Sequence, residues 1–182
     1  MRRASTSLLA RRWRTDLGDV RVVDVTTELL AEVDDSWPPR RGPADVHHAW
    51  RWREICEGQR ERFGVMVGAA PAAIWVSTRT RPLRLRDGSY YRLDYLEVAP
   101  DLRGGVVGPL TLALIACRAL ELGADAIVLT AFDVPGLVDA YRRAGAVVRR
   151  PPGWSHPSNL VSLVFEPAVV ALLKGFVDEL LT

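Results

Sequence analysis

From Leu96 to Leu122 the chain reads LEVAPDLRGGVVGPLTLALIACRALEL, and the chemistry available to this run is carried by backbone rather than by side chains. Arg103, Gly104, Gly105 and Gly108 make a turn between a strand ending at Leu96 and Val98 and an apolar helix whose first turn suits Pro109. Unpaired N–H groups at a helix start, together with the positive end of the helix dipole, make an anion site. The expected guest is a phosphate-bearing ligand. No G-x-x-x-x-G-K followed by Ser or Thr is present, and RGGVVG lacks the G-x-G-x-x-G spacing of a dinucleotide turn. Next to the turn stand two acids, Asp94 and Glu97. Strand alternation places them on opposite faces unless a bulge intervenes, so at most one reaches a given ligand.

Other reactive side chains are scattered. Cys56 and Cys117 fall within helical patterns without metal-ligand spacing, which makes them buried free thiols, and Cys117 in an apolar helix is a poor nucleophile. His47, His48 and His156 form no cluster with acids at ligand spacing, so no metal site is expected.

The elements that must position the turn follow from periodicity. VRVVDV (Val20 to Val25) reads as a strand, and Thr26 or Thr27 before ELLAEVDD as a capped helix start. A Pro/Gly loop from Ser36 to Pro43 leads into a polar helix expected over Ala44 to Arg62. Strands are expected at Phe63 to Val67, Ala72 to Thr78 and Tyr90 to Val98, forming an antiparallel meander. After the turn come a buried helix ended by Gly123 and a buried strand, Ala126 to Leu129. A helix from Val134 to Ala144 follows, with Asp133 placed to cap it. Strands Ala146 to Arg149 and Leu160 to Phe165 then flank a Pro/Gly loop, and an amphipathic helix runs from Ala168 to Leu181.

Composition bounds the rest. The chain has 182 residues, 48% hydrophobic and 25% charged, which describes one globular domain, expected over residues 18–182 behind a flexible basic segment, 1–17. No apolar run approaches the roughly 20 residues of a membrane span, and Leu8-Leu9-Ala10 is too short for the centre of a secretory signal, so a cytoplasmic protein is expected. A net charge of +2 argues against a general nucleic-acid surface.

The turn with its flanking L-x-V-x-P resembles the acyl-CoA motif of the GNAT-type N-acetyltransferase superfamily, a strand, then Q/R-x-x-G-x-G/A, then a helix. Arg103 and Gly108 match its first and last positions, while Val106 stands where the central glycine is usual. The element order β-α-α-β-β-β-α-β-α-β-β is also similar to that fold. The resemblance implies a mixed α/β (α+β) protein, with a central, mostly antiparallel sheet of about six to seven strands and helices on both faces. It further implies acetyl-CoA, or another acyl-CoA, as co-substrate without a metal. The pantetheine would lie along Leu96, Glu97 and Val98, and the pyrophosphate on Arg103, Gly104, Gly105, Val106, Val107 and Gly108, with Asp133 and Tyr141 also near the cofactor.

Acyl transfer to an amine needs the free base, which an alkylammonium of pKa ~10.4 supplies near pH 7 at a penalty of about 4–5 kcal/mol. The resemblance assigns the general base to Asp94, with Glu97 as second candidate. It assigns to Tyr141, in the stretch YRRAGA, protonation of the departing thiolate. Trp37, Trp50, Trp52, His47 and His48 fall on the acceptor side of the fold, and Trp154 and His156 form a second set. The expected activity is direct attack of an amine on an acyl-CoA thioester. The alternative is a GNAT-like CoA-binding or interaction module with little or no catalysis, motivated by Val106 and by the absence of Asn before the helix that carries Tyr141. A homodimer through the Leu160 to Phe165 strand, taken as an exposed edge, or through the last helix is a further expectation.

Overall fold

The computed structural model describes residues 12–15, 18–59 and 61–179. The basic stretch at residues 1–11 and the Leu8-Leu9-Ala10 run within it lie outside the described residues. Among the described residues ten strands and five α-helices follow one another: β1 (Arg12–Thr15), β2 (Gly18–Asp24), α1 (Thr27–Ser36), α2 (Trp52–Cys56), β3 (Glu61–Val67), β4 (Ala70–Ser77), β5 (Leu83–Leu85), β6 (Gly88–Leu93), β7 (Tyr95–Val98), α3 (Val107–Glu121), β8 (Ala126–Phe132), α4 (Pro135–Arg143), β9 (Val147–Val148), β10 (Leu160–Phe165) and α5 (Pro167–Glu179). The strands form two five-stranded sheets, ordered β1-β2-β3-β4-β7 and β5-β6-β8-β10-β9. Every pairing is antiparallel except β6 with β8.

One strand joins the two sheets. The sequence reads Tyr90 to Val98 as continuous, but the chain breaks it at Asp94 into β6, paired with β8, and β7, paired with β4. The Asp94 side chain causes the break by accepting from the Thr78 amide at 2.7 Å, the Thr78 hydroxyl at 3.0 Å and Arg92 Nε at 2.5 Å. Side-chain bonds of this kind offer the backbone an alternative to the ladder. Only the second half of the expected strand therefore continues the meander; the first half pairs with β5, a strand absent from the sequence reading.

The helix expected over Ala44 to Arg62 is instead a series of turns followed by the short α2. Two aspartates decide this. Asp45 captures the His47 amide at 2.9 Å, a local turn that competes with helix. Asp34 of α1 accepts from the Trp52 and Arg53 amides at 2.6 and 3.0 Å, fixing the helix start at Trp52. Helix α1 begins as expected, with the Thr26 hydroxyl accepting the Leu29 amide at 3.3 Å. At α4 the cap residue is Val134, and Asp133 stands one place too early to cap it.

Helices cover both faces. Helix α3, buried at Leu110 and from Leu112 to Ala116, packs with α5 against one face, where Val170, Val177 and Phe165 share its core. On the other face α1 and α2 bury Leu29, Leu30, Val33, Trp37 and Trp52 against Met66, Ile74 and Val76. Strand β4 between these layers is buried from Pro71 to Ser77. The strand Leu160–Phe165, expected at an edge, is interior: β10 lies between β8 and β9 because Val147 and Val148 add a short strand outside it. Among the described residues no helix is long and apolar enough to cross a membrane.

Candidate active site

The break at Asp94 opens a gap. Strands β6 and β8 stay paired up to Leu93 opposite Leu129; beyond that point β7 turns to β4, and Thr130 to Phe132 lose their neighbour on that side. A cavity of about 410 Å³ fills the space, walled by Leu93 to Leu96 on one side and Leu129 to Phe132 on the other. Both walls are strand edges, and β7 ends its sheet, so backbone N–H and C=O groups there have no ladder partner among the described residues.

The glycine turn follows β7. None of the amides from Gly104 to Gly108 meets a backbone carbonyl among the described residues, which leaves donors bare at the start of α3. Gly104 supplies the left-handed residue, φ +77°, and a Cβ at Gly104 or Gly108 would meet nothing within 4 Å. The surface of the turn is open to a bulky anion. Val106 is in ordinary helical conformation, φ −75° and ψ −17°, with its side chain exposed, so the position usual for glycine demands no special backbone here.

Glu97 and Arg103 point elsewhere. The Glu97 side chain is fully buried beneath the loop before α2, where it accepts from Arg41 Nε and Nη2 at 2.9 and 2.7 Å, Trp52 Nε1 at 2.7 Å and Arg103 Nη2 at 2.7 Å. Arg103 also donates to the Val98 carbonyl at 3.1 Å and pairs with Asp45, so its guanidinium links the turn to the loop instead of lying free over it.

The acceptor-side residues separate into two groups. Trp37 and Trp52 are core. His47 and Trp50 line the cavity, with ring centroids 4.4 Å apart in an edge contact, and Trp50 meets Tyr95 edge-on at 5.3 Å. His48 is exposed, His156 is half-buried, and the Arg92 guanidinium lies over Trp154, 5.3 Å from the indole ring centre. Asp45 accepts His47 Nδ1 at 2.9 Å. Burial pushes the Asp45 carboxyl up, but the His47 amide, Arg103 and the His47 ring outweigh it and hold it below the usual carboxylate range. Burial pushes His47 down, against the pull of Glu97 and Asp45.

Tyr141 of α4 also lines the cavity, half-buried and edge-on to Phe165 at 6.5 Å, its phenol pushed up to about 12 by burial. It keeps its proton at neutral pH and can donate it. Asp133 is exposed on the loop between β8 and α4. Burial raises the Cys56 thiol to about 11, which makes it inert as a nucleophile. Among the described residues no three His, Cys, Asp or Glu side chains converge as a metal site.

No protein-family model matches the sequence, and no curated protein does. Solved structures do match. A GNAT-family acetyltransferase from Listeria monocytogenes superposes with a TM-score of 0.62 at 14% identity, over 86% of this chain and 99% of that one. The fold is that of the GNAT acetyltransferases. Mycobacterium smegmatis RimJ in complex with CoA-disulfide has a TM-score of 0.57 at 14% identity, over 91% and 93% of the two chains. A Bacillus subtilis acetyltransferase in complex with CoA has 0.52 at 15%, over 81% and 97%. In the GNAT fold of this chain, Asp94, Leu96 and Tyr141 come together around the cavity, and the bare amides follow at the end of β7. Glu97 is drawn to the opposite face. No local pattern marks Asp45 or Arg41, whose partners lie 58 and 56 residues away in Arg103 and Glu97.

Proposed function

We propose that the protein is an acyl-CoA-dependent N-acyltransferase, transferring an acetyl group from acetyl-CoA to an amine. The observation that carries this reading is the open seam between β7 and β8 leading to the bare amides of the turn. A pantetheine arm is extended and carries two amides, so it can bond the unpaired strand edges as a further strand would, near Leu96 and Val98. Its diphosphate then reaches Gly104 to Gly108 at the positive end of α3. The open surface at Gly104 and Gly108 gives it room.

The residues of the chain then have distinct tasks. The amides bind and orient the thioester in the cavity. The amine attacks the carbonyl carbon, the C–S bond breaks as the C–N bond forms, and Tyr141, protonated at neutral pH, gives the sulfur a proton. Asp94 borders the reacting space, but three donors already hold its carboxylate, so its task is to keep the seam open.

A second reading, a CoA-binding module without turnover, draws on the fact that both strand acids are committed to partners. One pair of measurements separates the two. Isothermal titration with acetyl-CoA is expected to show binding, and thiol release with a pooled panel of primary amines is expected to show turnover. Binding without release favours the module; no binding at millimolar acetyl-CoA refutes both.

A further inference from the structure

We propose that His47 is the general base that takes the proton from the acceptor amine, an assignment that rests on the acyltransferase reading. Three observations carry it. First, His47 lines the cavity that Tyr141 also lines, in edge contact with Trp50, which in turn meets Tyr95. Second, its tautomer is set. The Asp45 carboxylate can only accept, so the ring nitrogen facing it at 2.9 Å, Nδ1, carries the hydrogen, and Nε2 is left with an open lone pair. Asp45 is itself held by the His47 amide and by Arg103, so the ring is oriented by a carboxylate that is fixed in turn. Third, the nearby carboxylates and the phenol of Tyr141 are spoken for. Asp94 has three donors on its carboxylate, and Tyr141 is protonated at neutral pH. Glu97 does not line the cavity, and its carboxylate has four donors.

The charges around His47 set its working range. Glu97 of β7 and Asp45 of its own loop favour the imidazolium; burial and Arg103 of the glycine turn oppose it and prevail, lowering its pKa. Arg92 and Asp94, paired with one another, Tyr95 and Tyr141 also line the cavity. The imidazole is therefore neutral at pH 7 and able to accept. In the balanced reaction the ammonium gives one proton to Nε2, which passes it to solvent, and the free amine attacks the thioester carbon. The C–S bond breaks, and the thiolate takes a proton from Tyr141. The second N–H proton, released as the amide forms, restores the phenol.

The test compares wild type, His47→Gln and His47→Ala, with His48→Gln as control, in thiol release from acetyl-CoA using the panel amine that wild type acetylates fastest. Wild-type kcat is expected to rise with pH through a pKa below 6.5 and then level off, since protonated His47 cannot act. In His47→Gln this limb disappears and kcat falls about 100-fold or more, with acetyl-CoA affinity unchanged by titration. Added imidazole restores part of the rate of His47→Ala, and His48→Gln matches wild type. Imidazole nitrogen NMR of the acetyl-CoA complex is expected to show hydrogen on Nδ1 and a neutral ring at pH 7. Retention of more than about half of kcat in His47→Gln overturns the assignment while leaving the acyltransferase reading intact. A hydrogen on Nε2, or an imidazolium at pH 7, overturns it without reference to turnover. Acetyl-CoA binding without thiol release from wild type overturns the acyltransferase reading and this assignment with it.

Discussion

Replacing Glu97 with glutamine tests whether this acid holds the fold or works on substrate. Its carboxylate accepts four bonds, three of them from two guanidiniums, and both it and Arg41 have no exposed side-chain surface. The glutamine side chain would turn an amide N–H toward one of these donors and leave Arg41 as a buried charge without its counterion. Breaking such a pair costs about 3–5 kcal/mol. For a domain of this size each kcal/mol lowers Tm by about 2–4 °C, so the melting point should fall by roughly 6–20 °C. Thermal and urea denaturation followed by circular dichroism measure the loss, with the urea midpoint falling at constant m-value. Arg41→Met should cost a similar amount, and the double variant less than the sum of the two, because the second change removes a charge that the first left unpaired. A Glu97→Gln variant that melts within about 2 °C of wild type, by the same scaling less than about 1 kcal/mol, yet loses turnover would refute this and return Glu97 to the role of base.

Gly104→Ala should weaken acetyl-CoA binding by about 5- to 30-fold in a titration, because alanine at φ +77° costs about 1–2 kcal/mol even though its Cβ has room, whereas Val106→Gly should leave the affinity unaltered. Tyr141→Phe is expected to slow thiol release with little change in acetyl-CoA affinity; undiminished turnover would make Tyr141 a packing residue. Gly145→Ala should destabilise the fold by more than Gly153→Ala in parallel melts. Both positions have positive φ, but only at Gly145 would the Cβ come within 2.8 Å of Val169 Cγ1, whereas Gly153 faces open space.

Much of the fold is legible in the sequence because local chemistry decides it. Thr26 caps α1, Gly123 ends α3 with φ +76°, and the apolar helix after the turn is buried as its composition requires. The anion turn is readable for the same reason, since it needs only glycines and a helix start. What stays hidden depends on contacts distant in sequence. Nothing in the run from Tyr90 to Val98 says that Asp94 will bond Thr78, the contact found where the strand divides between the two sheets and the cavity opens. The alternation rule correctly separates Asp94 from Glu97 but does not say that Arg41 waits behind the latter. The loop before α2 reads as helix because Asp45 and Asp34 count as surface acids until their backbone partners are known. The missing glycine at Val106 counts as a defect only while the left-handed residue is assigned there instead of to Gly104.

On the proposed reading Arg103 belongs to two ligand sites at once. Its backbone stands at the turn expected to hold the diphosphate, while its guanidinium pairs with Asp45, and Asp45 with His47, the proposed base. Free-energy coupling is reciprocal: whatever factor bound acetyl-CoA lends to the amine's affinity, the amine must return to acetyl-CoA. Neither dissociation constant is then a property of one site alone, and an amine far too weak to detect on the free protein becomes measurable by its effect on the thioester.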